Sequence, residues 1–248
     1  MEYSEFKNRL AVVTGASSGI GFVLTSNLLK AGATVLTMSR NLGELEGLQA
    51  QYGERLVWLK GDVTRDADLD ALANRAKALG PVHYLAPNAG IAQLGDRLDT
   101  EAFDRQWAVN GAGALKTVAK LQPYLAKPAS IVFTGTFLSQ VTFPGLAAYI
   151  ASKTALKAFA RNLAVEMSAD GIQVNMVSPG PTATPIWGTL KLSDVELASV
   201  AQAVEQRLLT EQFLEPSMVA DAMLFLLSQG ARGIYGQDLV VDNGYTLR

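Results

Sequence analysis

Seven short runs of mainly branched aliphatic residues, at positions 10–13, 34–38, 56–59, 82–86, 131–136, 172–177 and 239–241, alternate with amphipathic stretches along the chain. The runs are apolar on both faces, the pattern of strands covered by helices on each side of a parallel sheet. Between the first two, Ile20, Leu24 and Leu28 recur at helical spacing, and Gly32 closes that helix. Leu69, Leu72, Ala76 and Leu79 repeat the pattern behind Thr64 as the expected cap, with Gly80 and Pro81 as the stop. This alternation predicts an α/β fold, a doubly wound parallel sheet of about seven strands in three α/β/α layers. No fixed-period repeat and no linker rich in Pro, Gly or Ser interrupts the 248 residues. Residues 1–248 are therefore expected to form a single domain.

Composition narrows the chemistry. The chain has no cysteine and one histidine, His83. Thiol catalysis, disulfides and thiolate metal sites are excluded, most metal cages are lost, and a Ser-His-Asp hydrolase would hinge on one residue. His83 falls inside the fourth run, where a structural role in the sheet is expected. Lys and Arg number 21 against 23 Asp and Glu, a net charge of −2 with no dense basic cluster, so no nucleic-acid partner is expected. No apolar stretch reaches the ~18 residues of a membrane span. The amino-terminal stretch carries Glu2, Glu5, Lys7 and Arg9 and no apolar run of a signal peptide, so a cytoplasmic protein without membrane association is expected.

Between the first run and the first helix the chain reads Thr14-Gly15-Ala16-Ser17-Ser18-Gly19-Ile20-Gly21. Glycines at a strand–helix junction allow a tight turn and let backbone N–H groups approach a pyrophosphate, to which the helix N-terminus adds about half a positive charge. Gly15, Ser17, Ser18, Gly19, Ile20 and Gly21 are the candidate phosphate-binding residues. A dinucleotide laid across this turn presents its adenosine ribose to the end of the second strand, where an acid would bind the 2′-hydroxyl of NAD. The chain has Ser39-Arg40 there instead. Ser39 can donate to a 2′-phosphate and Arg40 can pair with it as a fork, so the expected cofactor is NADP(H).

Tyr149 and Lys153 lie one turn apart on an alanine-rich helix expected over residues 149–167. A nearby ammonium favours the ionised phenol, so the pair is expected to lower the Tyr149 pKa from its usual value near 10.

The glycine turn, Asn88-Ala89-Gly90, Asn110, Tyr149 with Lys153, and Ser178-Pro179-Gly180, in this order, resemble the short-chain dehydrogenase/reductase family along the whole chain. The resemblance implies a Rossmann fold and a tyrosine acting as general acid/base in carbonyl reduction or alcohol oxidation. It further implies that Lys153 holds the nicotinamide ribose and that Asn110 supports a water relay. Asp62 and Val63 match the adenine-contacting pair, and Asn88, Ala89 and Gly90 the turn that closes the cofactor groove. Pro179, Gly180, Thr182 and Thr184 match the stretch lining the nicotinamide and pyrophosphate, and Arg40 falls where NADP-dependent members carry a basic residue.

Three positions depart from the family pattern. Thr136 stands where the family has a catalytic serine; its hydroxyl can still donate to a substrate oxygen, with Ser139 as the alternative donor. Pro87 replaces an asparagine and removes one backbone donor. Asp242-Asn243-Gly244 replaces Asp-Gly-Gly, a change that Asn tolerates because it accepts the left-handed conformation. Gly111 and Gly113, within an otherwise helical pattern, predict a local bend or close packing against another helix.

Residues 186–214 are too long and apolar for a plain loop and are expected to form a partly helical substrate lid. Leu94, Phe137, Leu138, Phe143 and Trp187 are the candidate pocket wall, which suits an apolar or aromatic carbonyl compound or alcohol. Small residues Ala151, Ala155, Ala158 and Ala160 on the tyrosine helix, with a charged fraction of 18%, predict a homotetramer, or otherwise a homodimer. The expected activity is NADP(H)-dependent interconversion of a ketone or aldehyde and an alcohol, without a metal. The alternatives are an NADP(H)-binding regulatory protein with little turnover and a cofactor-free lyase, which the intact glycine turn and Lys153 disfavour.

Overall fold

Each apolar run becomes a strand of one sheet. The computed structural model describes residues 4–96 and 98–248. Its strands are β1 (Leu10–Thr14), β2 (Thr34–Ser39), β3 (Leu56–Lys60), β4 (Val82–Pro87), β5 (Leu125–Thr134), β6 (Ile172–Pro179) and β7 (Asp238–Val241). They pair in parallel in the order β3-β2-β1-β4-β5-β6-β7. The α-helices among the described residues are α1 (Gly19–Lys30), α2 (Leu45–Tyr52), α3 (Asp66–Leu79), α4 (Thr100–Trp107), α5 (Ala114–Leu121), α6 (Ala147–Glu166), α7 (Asp194–Glu205) and α8 (Pro216–Leu227).

The two-faced apolar pattern of β1 explains the layering. Leu10 and Val12 point into a core shared with Leu69 and Leu72 of α3, Val118 of α5 and Leu156 of α6. Ala11 and Val13 point into a second core with Leu24 and Leu28 of α1 and Val219 and Met223 of α8. Removing such side chains from water contributes about 1.5–3 kcal/mol apiece for the larger ones. The chain places β2 and β3 on one side of β1 and β4 to β7 on the other, so strand order reverses between β1 and β4. A crevice opens above their C-terminal ends, where open α/β sheets take their ligands.

Several local expectations need correction. The fifth strand ends at Thr134, two residues before the sequence suggested; Thr136 instead caps a short 3-10 turn, Phe137–Ser139, accepting from the Leu138 N–H at 3.3 Å. Thr64 does not cap α3: its N–H and hydroxyl both donate to Asp62, and Arg65 takes the cap position. Helix α6 starts at Ala147 and ends at Glu166. The predicted bend is a π-helical stretch, Ala108–Gly113. Its glycines make room within the local fold: a Cβ on Gly111 would lie 2.1 Å from the Trp107 ring, and one on Gly113 would lie 2.7 Å from Val63. Asn243 adopts φ 48°, the left-handed conformation expected of it.

The lid stretch opens with a 3-10 segment, Pro185–Leu190. Ser193 and Glu196 then form a reciprocal capping box that starts α7. His83 sits in β4, its Nε2 2.5 Å from Arg9 Nη1, away from the crevice. Among the described residues no helix is long and apolar enough to cross a membrane.

Candidate active site

A cavity of about 650 Å³ runs along the C-terminal edge of the sheet from Arg40 to Tyr245. One half is built from strand ends and the turns that follow them. Gly15, at φ 68°, needs its missing side chain, because a Cβ there would lie 2.6 Å from Ala89 Cα. The β1 turn therefore lies flat against the turn after β4. Asn88 locks the two together: its amide donates to the carbonyls of Thr14 and Gly15 and accepts from the Thr134 hydroxyl of β5. Gly21 does not line the cavity; a Cβ on it would lie 2.4 Å from both Asn88 and Gly15, so it permits close packing of α1 on the strands.

The glycine turn presents Ser17, Ser18, Gly19 and Ile20 to the cavity. Ser18 occupies the N-cap of α1 without a side-chain bond to the helix, which leaves the first N–H groups directed toward a ligand. Asp62 and Val63 line the same half, as do Asn88, Ala89 and Gly90. Pro179, Gly180, Thr182 and Thr184 line it from the other side. This glycine-lined, N–H-rich cradle fits a dinucleotide pyrophosphate.

At the end of β2 Ser39 lines the cavity, with its hydroxyl already engaged. Its hydroxyl donates to the Asn41 carbonyl at 2.7 Å and accepts from the Trp58 indole N–H at 2.9 Å. Its single hydroxyl hydrogen is thus engaged, and Arg40 stands exposed at the rim of the cavity. Glu44, which the sequence did not single out, also reaches this end.

Tyr149 and Lys153 meet the cavity where its halves join. Burial raises the Tyr149 phenol above its usual value, and a hydrogen bond with Thr136 pulls it back down. The fall expected from Lys153 is not found: burial dominates the shift, Thr136 is what lowers it, and the Lys153 ammonium is turned to the Thr134 carbonyl instead. Burial also pushes the Lys153 ammonium down to about 8, and its Nζ donates to the Thr134 carbonyl at 2.7 Å. Thr136 is thus the hydroxyl beside the tyrosine. Ser139 does not line the cavity, and its buried Oγ has no partner among the described residues.

Asn110 stands one layer back, fully buried. Its amide accepts from the Ile91 N–H and donates to the Ile91 carbonyl, both at 2.9 Å, and donates to Ser152 Oγ. Of the expected pocket wall, Phe137, Leu138, Phe143 and Trp187 line the second half of the cavity. Leu94 does not; it lies behind the lining, packed against the same apolar cluster and beside Gly145. The sequence missed Leu190, Val204 and Tyr245, which close this half. Tyr245 meets Phe137 edge-on with ring centroids 4.9 Å apart, and the Arg207 guanidinium lies 4.3 Å from the Tyr245 ring centroid. The charged groups at the cavity belong to the cradle and the join; the second half is lined by neutral side chains.

The chain is similar over nearly its whole length to known proteins. A family model described as enoyl-(acyl carrier protein) reductase matches residues 15–246. Carbonyl reductase [NADPH] 2 of Sus scrofa is 32% identical, with 97% of each chain covered. Galactitol 2-dehydrogenase (L-tagatose-forming) of Cereibacter sphaeroides is 31% identical over 96% of this chain and 94% of its own. Among solved structures, a short-chain dehydrogenase/reductase of unknown function from Caenorhabditis elegans, with cofactor, superposes with a TM-score of 0.89 at 25% identity, covering 98% of this chain and 96% of that one.

Proposed function

The chain belongs to the short-chain dehydrogenase/reductase family, a family of nicotinamide-dependent oxidoreductases; from that premise we propose that it uses NADP(H) to interconvert an apolar or aromatic ketone or aldehyde with its alcohol. The observation that carries the reading is the placement of the Tyr149 phenol and the Thr136 hydroxyl together at the join between an N–H-rich cradle and a neutral, largely apolar chamber. The cofactor, when bound, supplies or accepts the hydride.

The protein's own groups do the rest. Tyr149 hands a proton to the carbonyl oxygen, or takes one from the alcohol, and Thr136 orients that oxygen by hydrogen bonding. The high Tyr149 pKa keeps the phenol protonated at neutral pH, the form required for reduction. Lys153, anchored on the Thr134 carbonyl, would hold the nicotinamide ribose. Asn110 fixes the wall at Ile91 and supports the water relay. Arg40 selects the 2′-phosphate, in keeping with the cofactor named for the porcine relative.

We read residues 1–248 as one cytoplasmic domain that assembles as a homotetramer, or otherwise a homodimer. Phe159 on α6 is exposed, and Trp107 and Phe103 extend its apolar face; Val165 is exposed on another side of the same helix. Sedimentation at micromolar concentration tests the assembly. Following nicotinamide absorbance against a panel of aryl and alkyl ketones, with NADPH and NADH in parallel, tests the activity. NADPH binding without oxidation by any ketone would instead identify a regulatory cofactor-binding protein.

A further inference from the structure

After β4, residues 91–93 pass the substrate half of the cavity outside any strand, and Ile91 and Ala92 face the cavity. Three side chains take up its main-chain polar groups in turn. Asn110 holds the N–H and carbonyl of Ile91. One residue on, the Thr189 hydroxyl of the lid accepts from the Ala92 N–H at 3.3 Å and lies 2.6 Å from the Ala92 carbonyl. At the next residue Gln106 repeats the Asn110 device: its Oε1 accepts from the Gln93 N–H at 2.9 Å, and its Nε2 donates to the Gln93 carbonyl at 3.2 Å.

Gln106 and Asn110 are four residues apart, so they project from one face of the helix and its π-helical continuation. Residues 91 and 93 offer their main-chain groups to that face, and residue 92 offers its own to Thr189 of the lid. Gln106 is fully buried, and its side-chain amide supplies one donor and one acceptor matched to a single residue. A glutamine buried at a helix position that packing alone would fill with an apolar side chain is retained at a desolvation cost unless its bonds are made.

We propose that Gln106 is a positioning residue for the substrate: it fixes the Ile91–Gln93 wall on the helix side while Thr189 registers the lid against the same wall. The proposal rests on the reading of this half of the cavity as the substrate site. Gln106 acts through the wall and touches neither the cofactor cradle nor Tyr149. Thr189 has a single hydrogen and two carbonyls within reach, Ala92 and its own Ile186, each at 2.6 Å. The lid can thus release the wall and satisfy its hydroxyl locally.

The test uses the full chain, with 2-acetylnaphthalene as the substrate-site probe and NADP⁺ as the cofactor-site probe, each titrated by tryptophan fluorescence. Gln106→Leu keeps the volume and leaves Gln93 unpaired; it is expected to weaken the naphthyl ketone about tenfold, and Thr189→Val about threefold, with NADP⁺ affinity unchanged. Hydrogen exchange at residues 91–93 is expected to accelerate in both variants. Unchanged ketone binding in both, or equal weakening of ketone and NADP⁺, would overturn the proposal. If Gln106→Leu does not fold, Thr189→Val alone decides it by the same two readouts. A wild-type chain that binds NADP⁺ but not the ketone would refute the substrate reading instead. Exchange at residues 91–93 then judges the clamp: acceleration supports it and unchanged exchange overturns it.

Discussion

The two halves of the cavity are made in different ways. The cofactor half comes from strand ends and the few residues after each, so a side chain's place follows from its place in the sequence. The substrate half comes from segments far apart in the chain: the wall after β4, the turn at Phe137, the lid and the carboxyl-terminal turn that brings Tyr245. Its shape depends on how those segments meet. A fold can therefore hold its cofactor rigidly through backbone geometry while the substrate pocket changes by repacking.

The sharpest way to break this contrast is at the join. Tyr149→Phe removes the proton donor without altering the cradle. It is expected to lower kcat for ketone reduction by about 10²–10⁴-fold with the NADPH dissociation constant unchanged, measured by stopped-flow absorbance and fluorescence titration. Near-normal turnover would remove Tyr149 from the chemistry, and a parallel loss of NADPH affinity would show that the halves are not separable there.

Lys153 gives the next largest effect, read in stability without cofactor. Its pKa in the folded chain is about 8, below the ordinary 10.5. Between those values the unfolded chain carries a proton that the folded chain lacks, so stability rises with pH over this window and is flat below about 8. Tyr149, raised, and Tyr84, raised to about 12, work in the opposite direction above pH 10. Stability is thus expected to climb from pH 8 toward 10 and then fall. Urea unfolding of wild type and Lys153→Met isolates the lysine: the gap between them should shift by about 3 kcal/mol in favour of wild type across the rise. A constant gap would contradict the buried ammonium.

Arg40→Ala sharpens the cofactor half itself. Loss of a charge-assisted bond worth about 1.5–3 kcal/mol should weaken NADPH about tenfold to a hundredfold and leave NADH unaffected. Glu44→Gln should move the ratio the other way by less, since it removes a carboxylate from the same rim. Equal effects on both cofactors would place Arg40 outside the 2′-phosphate site.

How much of this was legible in the sequence follows the same division. The strands could be read because each is apolar on both faces, and the glycine turn because a positive φ at Gly15 and close approach at Gly21 demand glycine. Strand ends were less legible: Thr136 has good β propensity, but its hydroxyl caps the following turn instead. Leu94 was read as pocket wall from its size alone, and nothing local says that it stops one layer behind the lining, beside Gly145. Tyr245 and Val204 reach the cavity only through tertiary packing. Gln106 did leave a signal, a polar residue four positions after Ala102 on the buried side of its helix.

Ser39 gives the smallest effect and the finest test of the cofactor half. Read alone, a serine beside Arg40 is a second phosphate donor. In the fold, the Trp58 N–H approaches its oxygen from β3, and the hydroxyl hydrogen goes to the Asn41 carbonyl. A hydroxyl offers one hydrogen, and without ligand that of Ser39 tethers the Arg40 loop to the sheet. Ser39→Ala should then weaken NADPH less than about threefold, with a loss of stability near 1 kcal/mol from the broken tether. Trp58→Phe, which removes the competing donor while keeping the ring, should have an equally small effect on the NADPH to NADH ratio. If Ser39→Ala instead matches Arg40→Ala, the hydroxyl turns toward the phosphate on binding, and local geometry in the cofactor half is less rigid than the contrast between the halves requires.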